Sequence, residues 1–225
     1  MPPHELIDAY YVNIRKAMDR GDLPDRGSYL PYLVFTLEAA RDGAWTEGRL
    51  DAFTAAMFAL TRIFGAYDFS LVVDDLARDE ARVKRDWQTN CSHPTLNGRI
   101  DSRRHFTTAA AIQAASNRNV SVSIGEFKEL YDSQRGGFDF TDIAANNSGI
   151  RLANQFMTTP LEDWSRLIAR IEAEEDVIIS YDDIPQILTR DEFTEKFDKI
   201  DSDRYVAMLD RIERRIDTLS LHAPL

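Results

Sequence analysis

"TDIAANNSGIRLANQFM", residues 141–157, repeats its apolar positions every three to four residues. Laid on an α-helix at about 100° per residue, Asp142, Asn146, Gly149 and Ala153 share one stripe. Ala145, Ile150, Phe156 and Met157 flank that stripe, and Asn147, Arg151, Asn154 and Gln155 fall opposite. The apolar face of this helix therefore carries a carboxylate and an amide. A carboxylate buried without a partner costs several kcal/mol or shifts its pKa upward. Asp142 and Asn146 need partners from neighbouring elements.

The same helical period runs through most of the chain. "HELIDAYYVNIRKAMDR" (4–20) places Leu6, Tyr10, Ile14 and Met18 on one face before the loop between Gly21 and Gly27. "YLPYLVFTLEAARDG" (29–43) reads as a second helix. "TEGRLDAFTAAMFALTRIFG" (46–65) reads as a third, with Thr46 as its N-cap and Gly65 as its stop. "SLVVDDLARDEARVKRDW" (70–87) makes a fourth, and "QTNCSHPTLNGRI" (88–100) is a loop without apolar period.

Helices resume at Asp101, where Asp101, His105, Thr108, Ala109 and Ile112 form an inward stripe, with Arg103, Thr107 and Ala110 away from it. In "SVSIGEFKELYDSQR" (121–135), Ile124, Phe127 and Tyr131 form one face. Gly125, Glu129 and Asp132 form another, with Glu126 at its edge. A glycine inside a helix costs about 1 kcal/mol against alanine, so Gly125 marks a close backbone approach at the level of Glu129.

After residue 157 the helix starts are explicit. Thr159-Pro160-Leu161-Glu162 and Thr189-Arg190-Asp191-Glu192 both read as capping boxes, with Pro160 at N1 of the first. "DVIISYDDIPQIL" (176–188) is the one β-branched run that reads as a strand. "SDRYVAMLDRIERRIDTLSL" (202–221) is a last amphipathic helix with Tyr205, Leu209, Ile212 and Ile216 inward. The expected architecture is mainly α, with eight or nine helices. A single helical domain, 1–157, carries the polar cluster, and 158–225 forms a helical C-terminal extension packed on it.

Composition narrows the function classes. A formal charge of −11 and a pI near 4.8 would repel a polyanion, so no nucleic-acid partner is expected. No stretch approaches the roughly 20 apolar residues of a membrane span, and the charged N-terminal sequence lacks the apolar centre of a signal peptide. A cytoplasmic chain is expected as written. The single cysteine, Cys91, leaves no internal disulfide framework. The pair Cys91 and His93 is too generic a spacing to define a nucleophilic site.

The pattern Asp-x-x-x-His, Gly-x-x-x-Glu-x-x-Asp and Phe-x-x-x-Asp-x-x-Ala-Asn-x-x-Gly resembles the signature of VanZ-like proteins and of a family of predicted periplasmic lipoproteins of enterobacteria. The matching positions are Asp101 and His105, then Gly125, Glu129 and Asp132, then Phe138, Asp142, Ala145, Asn146 and Gly149. They cover about residues 100 to 152. The resemblance implies a connection to the cell envelope and a shared polar cluster. VanZ-like proteins place the pattern on membrane-spanning helices, whereas Arg103, Arg104 and Lys128 make a soluble version here.

Three chemistries are open to such a cluster. In the first, Glu129 before the glycine turn "RGGFDF" is a general acid, and Asp142 or Asp139 is the second carboxylate of a glycan hydrolase acting on peptidoglycan. His105 and Asn146, with Asp101, Asp132 and Glu126, would orient the acids or the substrate. This reading needs no cofactor, but it does need export as a mature fragment or by a non-classical route. In the second, a divalent metal is held by His105, Glu129, Asp132 and Asp142, with a bound water as nucleophile. In the third, the cluster is a buried network that fixes helix packing, and function lies in binding a protein partner elsewhere. Substrate, metal and oligomeric state are open at this point.

Overall fold

The computed structural model describes residues 2–65, 93–116 and 138–224. The expected fourth helix, Cys91, and the expected helix at 121–135 with Gly125, Glu126, Glu129 and Asp132 lie outside the described residues. Eight α-helices are described: α1 (His4–Arg20), α2 (Leu30–Glu47), α3 (Arg49–Phe64), α4 (Ile100–Ser116), α5 (Phe140–Thr158), α6 (Trp164–Ile168), α7 (Arg190–Phe197) and α8 (Asp203–Asp217). Short 3-10 turns lie at Leu161–Asp163, Glu174–Asp176 and Ser220–His222. The fold is mainly α, as the periodicity requires, and no described helix is long and apolar enough to cross a membrane.

Helix α3 sits at the centre, with every residue from Ala52 to Phe64 buried. Its small residues, Ala52, Ala55, Ala56 and Ala59, admit neighbours on several sides, and α1, α2 and α4 all pack on it. Helices α4 and α5 form the closest pair and run in the same direction. His105 meets Asn146, and Gln113 donates to Asn154 at 2.8 Å eight residues further along both helices. Between these two contacts the backbones nearly touch, since a Cβ on Gly149 would lie 2.2 Å from the Phe106 carbonyl oxygen. Parallel packing brings both N-termini to one end of the molecule.

The C-terminal stretch closes over this pair. Trp164 is fully buried, 5.3 Å from Phe156 and 6.0 Å from Phe53 between ring centroids, and its indole nitrogen donates to the Thr159 carbonyl. At the other end of α5, Phe138 packs against Phe193 at 4.6 Å and Phe140 against Phe197 at 4.7 Å between ring centroids, both pairs tilted. Each large buried side chain stabilises the fold by roughly 1.5–3 kcal/mol, so the aromatic contacts at both ends anchor α5 firmly.

Several local expectations need correction. Thr46 does not cap α3; it lies in the last turn of α2, its hydroxyl donating to the Gly43 carbonyl. The break comes instead at Gly48, whose φ of 87° is available to glycine at little steric cost. Thr159 ends α5 and no capping box forms there, while Pro160 leads only into the 3-10 turn. The Thr189–Glu192 box forms as expected, with the Glu192 carboxylate accepting from the Thr189 amide at 2.8 Å.

The run 176–188 is no strand. Val177, Ile178 and Ile179 are buried as irregular chain, and among the described residues the only β contacts are isolated bridges, one of them Phe138 with Leu188. Arg103, expected to face away, is 1 % exposed and donates to the Pro94 carbonyl at 2.6 Å. It also lies over the Phe64 ring. Thr107 and Ala110 are buried with it, because α4 is covered by α3 on the side that the stripe reading left to solvent. Arg103 is therefore an internal tie and no part of a solubilising face.

Candidate functional site

Asp101 lies in the first turn of α4 and Asp142 in the first turn of α5. Parallel packing puts both at the same end, where the partial positive charge of two helix N-termini favours carboxylates. One turn further along α4, His105 points into the seam between the helices. Its Nε2 is 3.3 Å from Asp142 Oδ2, and its Nδ1 is 3.2 Å from Asn146 Oδ1. Ligand atoms of Asp101, His105 and Asp142 all lie within 4.8 Å of one another. Four of the residues named from the sequence, Asp101, His105, Asp142 and Asn146, thus converge.

Asp139 has a different position. It caps α5, its Oδ1 accepting from the Thr141 amide at 2.8 Å and from the Thr141 hydroxyl at 2.6 Å. Its Oδ2 takes the Arg99 guanidinium at 3.1 Å. Both carboxylate oxygens are occupied by donors, which leaves this group poorly placed to pass a proton to a substrate. Glu129, Asp132 and Glu126 lie outside the described residues.

The sequence reading missed Arg99. It donates to Asp139, to the Thr141 hydroxyl and, at 3.4 Å, to Gln186, and reaches Asp101 at 3.9 Å. Burial works against its charge, but the hydrogen bond and charge of Asp139, with Asp142 and Asp101 beyond, hold its pKa above the usual arginine value. The signal for it was present in the sequence: three carboxylates gathered at one end require a cation, and Arg99 precedes Asp101 by two residues. Tyr181, also missed, lies beneath Arg99, with the guanidinium 6.0 Å from its ring centroid. Burial raises the Tyr181 phenol far above its ordinary pKa, the Ser102 hydroxyl and Arg99 opposing this, and Asp142 and Asp139 adding to it. It stays a neutral wall of the site at any ordinary pH.

The cluster is neither sealed nor deep. The side chains of Asp101 and Asp142 keep 20 % and 26 % of their exposure, while that of His105 keeps 10 %. Two carboxylates therefore face water at the rim with an imidazole behind them. Two described grooves, of about 530 and 410 Å³, lie elsewhere, along α1 and beside α2, and share Leu6, Ala9 and Glu47. They contain no comparable group of acid, base and amide. No family model, curated protein or solved structure matches this chain.

Proposed function

We propose that the chain is a hydrolase whose attacking water is held and deprotonated in the opening between Asp101, His105 and Asp142. The observation that carries this reading is the half-open geometry: an imidazole fixed from behind by Asn146, with two carboxylates in front that retain contact with solvent. A network built only for packing gains nothing from that exposure and would be expected to close, since partly satisfied buried polar groups cost stability.

Asp142 keeps the part of essential carboxylate that the sequence suggested. Asp101 joins it as the second acid in reach, its ligand oxygen within 4.8 Å of that of Asp142. Asp139 becomes the residue that anchors Arg99 and the start of α5. Glu129 remains the candidate general acid on the sequence argument alone, and a cell-envelope glycan remains the first substrate to try, on the resemblance alone.

The test is turnover of purified peptidoglycan by the native chain and by Asp142→Asn, His105→Gln and Glu129→Gln, each checked for native circular dichroism. Loss of an essential acid or base lowers the rate by about 10²-fold or more. Native protein that is folded and releases no soluble glycan would remove the glycan, and activity that survives Asp142→Asn would remove the site.

A further inference from the structure

We propose that Asp101, His105 and Asp142 bind one divalent first-row transition-metal ion, with Asn146 fixing the imidazole from behind. The inference rests on the hydrolase reading for its purpose, but it is read by metal binding and not by turnover, so either can fail alone.

His105 sits between two oxygen groups. Each ring nitrogen faces an oxygen, Asn146 Oδ1 at 3.2 Å and Asp142 Oδ2 at 3.3 Å. A neutral imidazole carries one N–H, so it can satisfy only one of two acceptors. In the tautomer whose Nδ1–H donates to Asn146, the Nε2 lone pair is directed at the Asp142 carboxylate, the orientation that a bridging cation requires. An amide or carbonyl behind a histidine is also how metal-bound imidazoles are held in one tautomer.

The second observation is independent of the ring. Asp142 Oδ1 is shielded from solvent and has no hydrogen-bond partner among the described residues. A carboxylate oxygen left in that condition costs stability unless a donor or a cation reaches it. Asp142 thus offers one oxygen toward His105 and a second that is unsatisfied.

Spacing and charge agree. Ligands about 2.1 Å from a metal lie about 3.0–3.4 Å apart along a coordination edge, which matches the 3.3 Å between His105 and Asp142. Asp101 offers a ligand oxygen within 4.8 Å of both, and a rotation of its side chain toward them would complete the set. Three carboxylates, Asp101, Asp139 and Asp142, are opposed by Arg99 and by two helix N-termini, each N-terminus equivalent to roughly half a charge. Among the described residues the carboxylates outnumber the cation, which leaves the group electrostatically suited to a metal ion. Arg99 does not fill the position, because its closest carboxylate is Asp139 at 3.1 Å and it reaches Asp101 only at 3.9 Å. One nitrogen with carboxylate oxygens favours zinc, manganese, iron or cobalt over calcium or magnesium, and the exposed rim leaves coordination positions for water.

The experiment uses the full chain stripped with a chelator and titrated calorimetrically with ZnCl₂ and MnCl₂, with MgCl₂ as a control. One equivalent should bind at micromolar or tighter affinity, and the cobalt-substituted protein should show visible absorption with a nitrogen ligand. Asn146→Ala should weaken binding about 10- to 100-fold, and Asp142→Asn at least as much, while Asp163→Asn, beyond the opposite end of α5, should leave it unchanged. Absence of stoichiometric binding by the native folded chain overturns the inference, as does binding untouched by both Asp142→Asn and Asp101→Asn. If a variant fails to fold, the cobalt spectrum of the native chain decides alone. Metal binding without peptidoglycan turnover would support the ion and count against the glycan; turnover by metal-free protein that binds no ion would do the reverse.

Discussion

Asp139 and Asp142 stand three residues apart on the same helix start, and their surroundings separate their tasks. Asp139 spends both oxygens on Thr141 and Arg99, whereas Asp142 has one oxygen toward His105 and one without a partner among the described residues. Sequence spacing alone could not divide them, because a cap and a site acid look alike until the hydrogen bonds are known. The titrating group with the clearest consequence for stability is instead His222, in the last 3-10 turn. Burial and then the neighbouring Arg151 push its pKa down to about 4, with Asp217 opposing. The unfolded chain takes up this proton near the ordinary histidine value of about 6.5, and the native chain resists until about 4. Stability from this group is therefore intact above pH 6.5 and is lost as the pH falls from there to about 4. The ring is partly open to solvent, so the loss should be discounted to the order of 1–2 kcal/mol. Urea melts at pH 7.5 and 4.5 should show His222→Gln losing less stability than the native chain over that interval, and equal losses would refute it.

Helix α5 was legible because one of its sides meets water and the other does not, so its stripes survive in the sequence. Helix α4 was only half legible: Arg103 and Thr107 are as buried as His105, and a helix covered on several sides has no solvent face for periodicity to reveal. The capping signal at Thr189 was correct and the one at Thr159 was not, since the same letters there serve to end α5 and to receive Trp164. The run at 176–188 reads as strand because β-branched residues also fill irregular buried chain, as Val177, Ile178 and Ile179 do. The close approach assigned to Gly125 falls outside the described residues, and the one that is described lies at Gly149. An alanine there would set its Cβ 2.2 Å from the Phe106 carbonyl and 3.2 Å from the Ala110 amide. Backbone atoms cannot swing aside as a flexible side chain can, so α4 and α5 must separate. The helical preference of alanine over glycine returns about 1 kcal/mol, while overpacking costs about 1–3 kcal/mol and more when backbone is the obstacle. Gly149→Ala should lower the thermal midpoint by several degrees and, by widening the seam between His105 and Asn146, weaken any ligand held at its end. A variant as stable as the native chain would show that the helices yield freely.

The division expected near residue 157 concerns the entire chain, and the contacts across it argue about how the two parts depend on each other. Trp164, Leu167, Val177, Ile178, Ile179, Ile212, Ile216 and Leu221 are all at least nine-tenths buried, and they belong to the same cluster as the residues of α1 to α5. Polar ties cross the boundary as well. Glu174 accepts from the Ser28 hydroxyl and from the Asn97 amide, Asn97 donates to the Ile179 carbonyl at 3.1 Å, and Arg49 donates to the Thr159 carbonyl. Each of the eight apolar side chains contributes roughly 1.5–3 kcal/mol by burial, and even half of that total rivals the 5–15 kcal/mol by which domains are typically stable. A chain ending at residue 157 would expose the Phe53 and Phe156 surface that Trp164 covers and would lose the wall that Tyr181 gives the site. The expectation is that the fragment 1–157 does not fold by itself, and that the full chain unfolds in one cooperative transition. Circular dichroism of the fragment, followed through a urea titration beside the full chain, decides it: a cooperative melt of the fragment, or two separated transitions in the full chain, would make residues 1–157 a folding unit independent of the C-terminal stretch. A non-cooperative fragment would mean that the polar site at the start of α4 and α5 exists only when the C-terminal stretch is in place.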